Sequence, residues 1–492
     1  MLRLLEQLDS HAIRHGSTEA VCSVGREPTI KLSWQQLRDR TFDIGRIIRD
    51  RVINNRAVVL HYPNHPEFIP AFLGVLAADG ILFPVAADAS APELISAIQR
   101  SGAGAVIADA NSIETIGELF DQAEPLPQLS EIAVLFHTPK FPARPPSLPG
   151  PSLLLQSSGT TADPKIVRRD GPSLDAVTSN MIRACGFTDS DHVLAGVPLC
   201  HSYGLEHGIL APIAAGTCVH VCEKFDLPAV LHELREGGIT MMPGVPFMFD
   251  TLCHTQGLSF PDLRLVYSAG GPLPFSTSEA FYKKFGLRIG QVYGSTEIGS
   301  VTFNNPDEPD FDPLCVGKPM DGVSIRILDR DDPRFAKSLP KGAEGIVAIA
   351  SPSMLSGYLD GEPAHLINGH FLTGDIGRVN ESGSLTFSGR YKLLIDIGGR
   401  KVNPLEVEAV LAQHPGIGAC VVVPLKLSET VQRLKAVVTR ARPDVELSVQ
   451  DLRKFAQERL SRYKVPRVFE VRDSLPTSPA GKVIRRLVES SN

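Results

Sequence analysis

The sequence predicts an α/β fold: a large N-terminal α/β domain with mostly parallel sheets and a β-rich subdomain, followed by a small α+β C-terminal domain. Three observations predict it. Short apolar strands alternate with helical stripes from about Leu153 to Phe285, the helices thin out after Leu314, and the last hundred or so residues carry strands and helices of their own. In chain order, Leu153 to Leu155 reads as a strand, and Leu174, Val177 and Met181 recur at helical spacing behind Ser173 as cap. His192 to Ala195 and Thr217 to Cys222 read as strands. Leu227, Val230, Leu231 and Leu234 form a helical stripe that stops at Gly237-Gly238. Ile239 to Met242 and Leu265 to Ser268 are again strands, each leading into a loop and a helical pattern. Ligands of such sheets bind beyond the carboxyl ends of the strands.

Between Leu314 and Gly389 short β pieces are punctuated by Gly and Pro. Pro404 to Leu411 then reads as a helix, and Ala419 to Val423 and Leu434 to Val438 as strands. Ser448 with Asp451 forms a capping pattern before Leu452, Phe455 and Leu460. The expected division is 1–389 and 390–492, with the boundary in Gly389-Arg390-Tyr391-Lys392. A run with six prolines, Pro139 to Pro151, cannot be a helix interior or a central strand, so it is expected to be an extended connector.

The 492 residues allow about three domain-sized units. With 43% apolar and 21% charged residues, the composition excludes disorder as the main state. A net charge of −6 lacks the basic footprint of a nucleic-acid binder. Eight scattered cysteines without a paired CxxC framework read as reduced, buried thiols of a cytoplasmic protein. Cys218, His220 and Cys222 have the spacing of metal ligands, but Thr217 to Cys222 alternates as a strand does and no second ligand cluster follows, so the core-strand reading is preferred. Charge enters the N-terminus too early for a secretory signal. Pro70, Asp79, Gly80 and Pro84 interrupt the longest apolar stretch, so no transmembrane segment is expected.

The strongest local motif is Gln156-Ser157-Ser158-Gly159-Thr160-Thr161-Ala162-Asp163-Pro164-Lys165, directly after a strand. Its hydroxyls, glycine and lysine are groups that a polyphosphate needs, although Ser, Thr and Gly also dominate ordinary turns. It lacks the Gly-Lys-Ser/Thr step of a P-loop. Tyr293-Gly294-Ser295-Thr296-Glu297 follows a short strand, Ile289 to Val292. Glu297 suits Mg²⁺, Thr296 an α-phosphate oxygen and Tyr293 a purine face, whereas a capped helix start is the plain alternative. Ser268-Ala269-Gly270-Gly271-Pro272-Leu273 allows close approach to a ring or is simply a turn.

In their order and spacing these segments resemble the acyl-adenylate-forming superfamily, which includes acyl-CoA synthetases, peptide-synthetase adenylation domains and luciferase. The resemblance spans nearly the whole chain. It implies a phosphate loop at Leu155 to Lys165, with Ser157, Ser158, Gly159, Thr161 and Lys165 on the nucleotide and Thr160 beside the metal. It implies an acyl-pocket motif at Pro198 to Leu205 containing His201, and an adenine segment containing Gly271 and Pro272. A further segment contains Tyr293, Gly294, Thr296 and the metal ligand Glu297. Phe371 to Val379 resembles the ribose motif, in which Asp375 takes both hydroxyls; a carboxylate accepts two hydrogen bonds from a diol. By the same resemblance Arg390 contacts the nucleotide, Lys392 is the hinge of a mobile small domain, Gly398-Gly399 lies on the loop of the thiol step, and Lys482 is the catalytic lysine.

The implied reaction is a two-step ligation. A carboxylic acid attacks the α-phosphate of MgATP, and a phosphopantetheine thiol, CoA or an acyl-carrier protein, then takes the acyl group. Lys482 would offset the repulsion between two anions. Relatives that activate amino acids carry an Asp in the acyl-pocket motif to hold the amine; none occurs between Pro198 and Gly208, so a fatty or other non-amino acid is expected. Ala162 stands where the family usually has Gly, which costs about 1 kcal/mol if that position needs φ > 0. That departure keeps a nucleotide-binding homologue without ligase activity open, beside an oxidase of the luciferase kind.

Overall fold

The computed structural model describes the chain except residues 1–2, 26–28, 53–55, 130–132, 142–149, 158–164, 258, 330–331, 333–336, 362, 391–394, 399, 403, 443–444, 476–487 and 489–492. Its contacts divide the chain into two units. The first comprises Met1–Ala87, Ala97–Gln156 and Ile166–Tyr391, and the second Asp88–Ser96, Ser157–Lys165 and Lys392–Asn492.

The first unit contains a nine-stranded sheet whose order is Lys318–Pro319, Gly299–Asn304, Ile289–Ser295, Leu265–Ser268, Met241–Gly244, His192–Ala195, Cys218–Cys222, Glu19–Val24, Lys31–Ser33. From Ile289–Ser295 to Glu19–Val24 every neighbouring pair is parallel, and antiparallel strands close both edges. All five residues of Cys218–Cys222 are buried, as a parallel strand covered on both faces requires. Successive side chains enter opposite cores: Val193, Val219 and Tyr267 pack with the N-terminal helices, and Leu194, Val266 and Cys222 with Val230 and Leu234 of the helix Leu227–Glu236. A second sheet has a parallel centre of Ala105–Asp109, Ala57–His61, Ile81–Val85 and Ser152–Ser157. A third, antiparallel sheet of five strands runs through Ser324 to Arg390 and is the expected β-rich subdomain.

The second unit has the expected α+β composition. Ile417–Lys426 and Gln432–Arg440 are antiparallel, Val468–Arg472 adds in parallel, and the helices Pro404–Leu411 and Val449–Gln457 share a core with them through Val407, Leu411, Leu434 and Leu452.

Several local expectations change. Asp170, rather than Ser173, caps the helix Gly171–Cys185, because its carboxylate accepts from the Ser173 backbone N–H and Pro172 fits the first turn. The strand expected from Ile239 begins at Met241. Ser448 accepts from the Gln450 backbone N–H, so Asp451 completes no reciprocal cap. Of the eight free cysteines, Cys200, Cys253 and Cys420 are partly exposed rather than buried. Most of the proline run, residues 142–149, lies outside the described residues. No helix among the described residues is long and apolar enough to cross a membrane.

Candidate active site

The motif residues of the first unit leave from the carboxyl ends of adjacent parallel strands. Gly244 pairs with Ser268, and Ser268 with Gln291, so the loop Ala269–Leu273 and the segment Tyr293–Glu297 start side by side. Tyr293-Gly294-Ser295 continues the strand, and Thr296, Glu297 and Ile298 turn into Gly299–Asn304. The capped helix start is thereby replaced by a tight strand-to-strand turn. Gly294 is sterically required in it: an added Cβ would lie 2.3 Å from the Gly299 carbonyl oxygen.

Asp375 comes from a different sheet, on the strand His370–Val379, after Gly374 with φ of 76°. Its position there excludes the isolated turn that Gly374 allowed. The Tyr293 hydroxyl donates to Asp375 Oδ2 at 2.6 Å, and the Tyr293 ring packs on Phe387 with centroids 4.5 Å apart. Thr373 Oγ1 accepts from the Asp375 backbone N–H at 3.1 Å and donates to the Val347 carbonyl at 2.8 Å. Arg390 stands opposite Asp375 in the neighbouring strand. Ser295 Oγ donates to Glu297 Oε2 at 3.0 Å, and among the described residues the rest of this half-buried carboxylate is left for a cation or water.

His201 precedes the helical turn Ser202–Leu205, and the Tyr203 hydroxyl donates to the Gly244 carbonyl at 3.0 Å, fixing this motif to a strand end. Ala195, Tyr203, Gly204, His207, Gly208 and Pro243 line a crevice beside this motif that is too narrow to hold a water molecule. Two buried hydroxyls, Ser157 Oγ and Ser268 Oγ, have no partner among the described residues. Buried hydroxyls are normally paired, so the orphaned Ser268 hydroxyl of the first unit is open to a polar ligand.

A buried polar network beneath these motifs escaped sequence reasoning. Arg169 Nη1 donates to Glu206 Oε1 at 3.0 Å, with both side chains almost fully enclosed. Ser202 Oγ donates to the same oxygen at 2.9 Å, and the Ser300 N–H and Oγ donate to Oε2 at 3.0 and 2.7 Å. His207 bridges Tyr267 OH and Ser300 Oγ, each at 3.0 Å. Burial pushes the His207 imidazole down to about 4, against the pull of Glu206, so it is neutral at pH 7. The network ties the strand after the phosphate loop, the His201 motif and the turn of Glu297 into one rigid support. Its signal in the sequence was a carboxylate, Glu206, inside the apolar run Gly204 to Ala215. Such a carboxylate needs a buried cation as partner, but nothing local names Arg169.

Among the other expected site residues, Lys165 is half-buried at the start of Lys165–Asp170, Gly271 and Pro272 lie in the loop after Ser268, and Gly398, with φ of 62°, turns between Ile395–Ile397 and Arg400–Val402. Ser158, Gly159, Thr160, Thr161, Ala162, Lys392, Gly399 and Lys482 lie outside the described residues.

Comparison with known proteins agrees with this arrangement. Residues 8–359 match the AMP-binding enzyme family, and residues 406–482 match the AMP-binding enzyme C-terminal domain. The chain is 27% identical over 470 residues to a malonate–CoA ligase of Arabidopsis thaliana, covering 86% of this chain and 76% of that one. It is 30% identical over 383 residues to a sulfoacetate–CoA ligase of Cupriavidus necator, covering 77% and 71%. The fold matches a mutant o-succinylbenzoate CoA synthetase of Bacillus subtilis with a TM-score of 0.85 at 21% identity, covering 98% of each chain. It also matches the amide bond synthetase McbA of Marinactinospora thermotolerans with a TM-score of 0.83 at 22% identity, covering 100% of this chain and 99% of that one. With most of its length matched by the two family domains, the chain belongs to the AMP-binding enzyme family.

Proposed function

We propose that the protein is an acid–thiol ligase that forms an acyl-adenylate from a non-amino carboxylic acid and ATP, releases pyrophosphate, and transfers the acyl group to the thiol of CoA. The carrying observation is the 2.6 Å hydrogen bond from Tyr293 to Asp375, which joins the aromatic segment to the diol-binding carboxylate from 82 residues away. In the first step a carboxylate oxygen attacks the α-phosphorus and pyrophosphate leaves. In the second the thiol sulfur attacks the acyl carbon, AMP leaves and the thiol proton passes to solvent.

Asp375 accepts from the ribose hydroxyls, Tyr293 flanks the base together with Gly271 and Pro272, and Arg390 adds charge at the nucleotide. Ser157 to Thr161, Lys165 and Thr296 supply donors to the phosphates. Glu297 and Thr160 would hold Mg²⁺, which neutralises phosphate charge when bound. Lys482 brings an ammonium to the reacting oxygens in the adenylation step. Lys392 is the pivot, and Gly398-Gly399 serves the thiol step.

A compact acid is favoured over a fatty acid. His201 gates the acyl pocket. The named acids of the two relatives, malonate and sulfoacetate, are small and support this reading. A pyrophosphate-release screen over short dicarboxylic, aliphatic, aromatic and amino acids tests the reading, with CoA and a phosphopantetheinylated carrier protein compared as acceptors. Acid-dependent release followed by acyl-CoA formation is expected. ATP binding without release for any acid would leave only a nucleotide-binding homologue.

A further inference from the structure

The preference for a plain core strand at Cys218 to Cys222 rested on the lack of a second ligand cluster in the sequence. The sheet supplies one. His192–Ala195, Cys218–Cys222 and Glu19–Val24 are consecutive parallel strands, and their register sets His192 beside Cys218 and His220 beside Cys22. Cys218 and His220 are two residues apart and face the same side, so all four side chains lie on one face of three strands. The ligand atoms of Cys22, Cys218 and His220 lie within 4.8 Å of one another. His192 Nδ1 is 2.9 Å from His220 Nε2, and Cys218 Sγ is 3.7 Å from the same nitrogen. Cys22, Cys218 and His220 are 3 to 4% exposed.

This group is enclosed on the face covered by the helix Leu227–Glu236. That helix contributes Glu233, whose Oε1 lies 2.5 Å from His220 Nδ1. A carboxylate on the far nitrogen orients an imidazole so that its other nitrogen faces a metal. Cys222, the third member of the original spacing, sits one register row further on beside Val24 and packs with Leu194 and Val230 in the apolar core. Glu19 accepts from Cys22 Sγ at 3.3 Å and is itself paired with Lys31.

We infer that Cys22, Cys218, His220 and His192 form a structural Zn²⁺ site, oriented by Glu233, that pins the first strand of the chain to the body of the sheet. Two thiolates and two imidazoles are a soft-to-borderline set that suits tetrahedral Zn²⁺. With Zn–S of about 2.3 Å and Zn–N of about 2.0 Å, tetrahedral ligands stand about 3.6 Å apart for S and N and about 3.3 Å for two N. The observed 3.7 Å between Cys218 and His220 fits, the 2.9 Å between His192 and His220 must widen by about 0.4 Å, and the Cys22 sulfur, within 4.8 Å of Cys218 and His220, must close in by up to about 1 Å. Cys218 and His192 begin their strands, whereas the nucleotide motifs leave from carboxyl ends, so the site is separate from the catalytic machinery.

The test uses the full, tag-free chain produced with added zinc and purified without chelators. Elemental analysis is expected to find about one Zn²⁺ per chain, and exchange with Co²⁺ to give a thiolate-to-cobalt charge-transfer band. Cys22→Ser with Cys218→Ser is expected to lose both. Because that variant risks misfolding, Glu233→Gln is measured beside it in competition with a chromophoric chelator. It keeps all four ligands and is expected to bind zinc about 10- to 100-fold more weakly. A wild-type chain that neither carries zinc nor gives the charge-transfer band would overturn the site, as would zinc retained equally by the double variant.

Discussion

The Tyr293 hydroxyl reaches across from the nine-stranded sheet to the Asp375 carboxylate of the antiparallel sheet, 2.6 Å away, and fixes the aromatic ring beside that carboxylate. Removing that donor by Tyr293→Phe leaves the ring packing on Phe387 intact and takes this hydrogen bond from the carboxylate. A hydrogen bond to a charged group contributes about 1.5–3 kcal/mol. Thermal stability is therefore expected to fall by up to about that amount, and the KM for ATP to rise as the carboxylate loses the donor that orients it, as read by thermal melts and steady-state pyrophosphate release.

Glu297 is half-buried, and among the described residues its carboxylate accepts a hydrogen bond from Ser295. Glu297→Gln keeps the shape and removes the charge. It is expected to lower kcat about 100-fold and to raise the Mg²⁺ concentration needed for half-maximal rate. Magnesium titrations of both proteins check this, and an unchanged magnesium dependence would count against the assignment.

In the proposed scheme Lys482 serves the adenylation step only. Lys482→Ala should reduce ATP- and acid-dependent pyrophosphate release by about 100-fold or more while conversion of supplied acyl-AMP and CoA to thioester persists. Equal loss of both half-reactions would contradict this division.

The enclosed Arg169–Glu206 pair supports the site without touching the substrates in the proposed scheme. Breaking a buried pair strands a charge and costs about 3–5 kcal/mol, whereas replacing both partners costs less. Arg169→Met alone is thus expected to lower urea stability more than Arg169→Met combined with Glu206→Leu. A double variant less stable than both single ones would show that the hydrogen bonds of Glu206 to Ser202 and Ser300 dominate.

His207 gives a pH dependence of defined sign. Its imidazole lies at about 4 in the folded chain against about 6.5 when unfolded, so the unfolded state binds the extra proton first. This contribution is fully present above pH 6.5 and is lost as pH falls toward 4, by roughly 3 kcal/mol in all. The slope of stability between pH 6.5 and 4 should flatten in His207→Gln, measured by urea melts at each pH.

Much of the architecture was legible because it is written in local pattern. The alternation from Leu153 to Phe285, the stripe Val230-Leu234 and the gap at Gly237-Gly238 are spaced by helix and strand geometry alone. The helix cap was missed by three residues because Asp170 and Ser173 both suit a cap, and only the backbone path decides which one reaches the free N–H. The motifs around Ser157, Tyr293, Asp375 and Lys482 could be named from residue order, since each is contiguous.

What the chain determines by itself is therefore whatever lies within about ten residues: strand, helix, turn and contiguous motif. Tertiary structure alone decided that Tyr293 bonds Asp375, that Arg169 answers Glu206 from 37 positions away, and that Cys22 rather than Cys222 stands with Cys218 and His220. The physical reason is that hydrogen bonds and ligand sets act over a few ångströms, and only sheet order and register determine which distant residues become neighbours at that range.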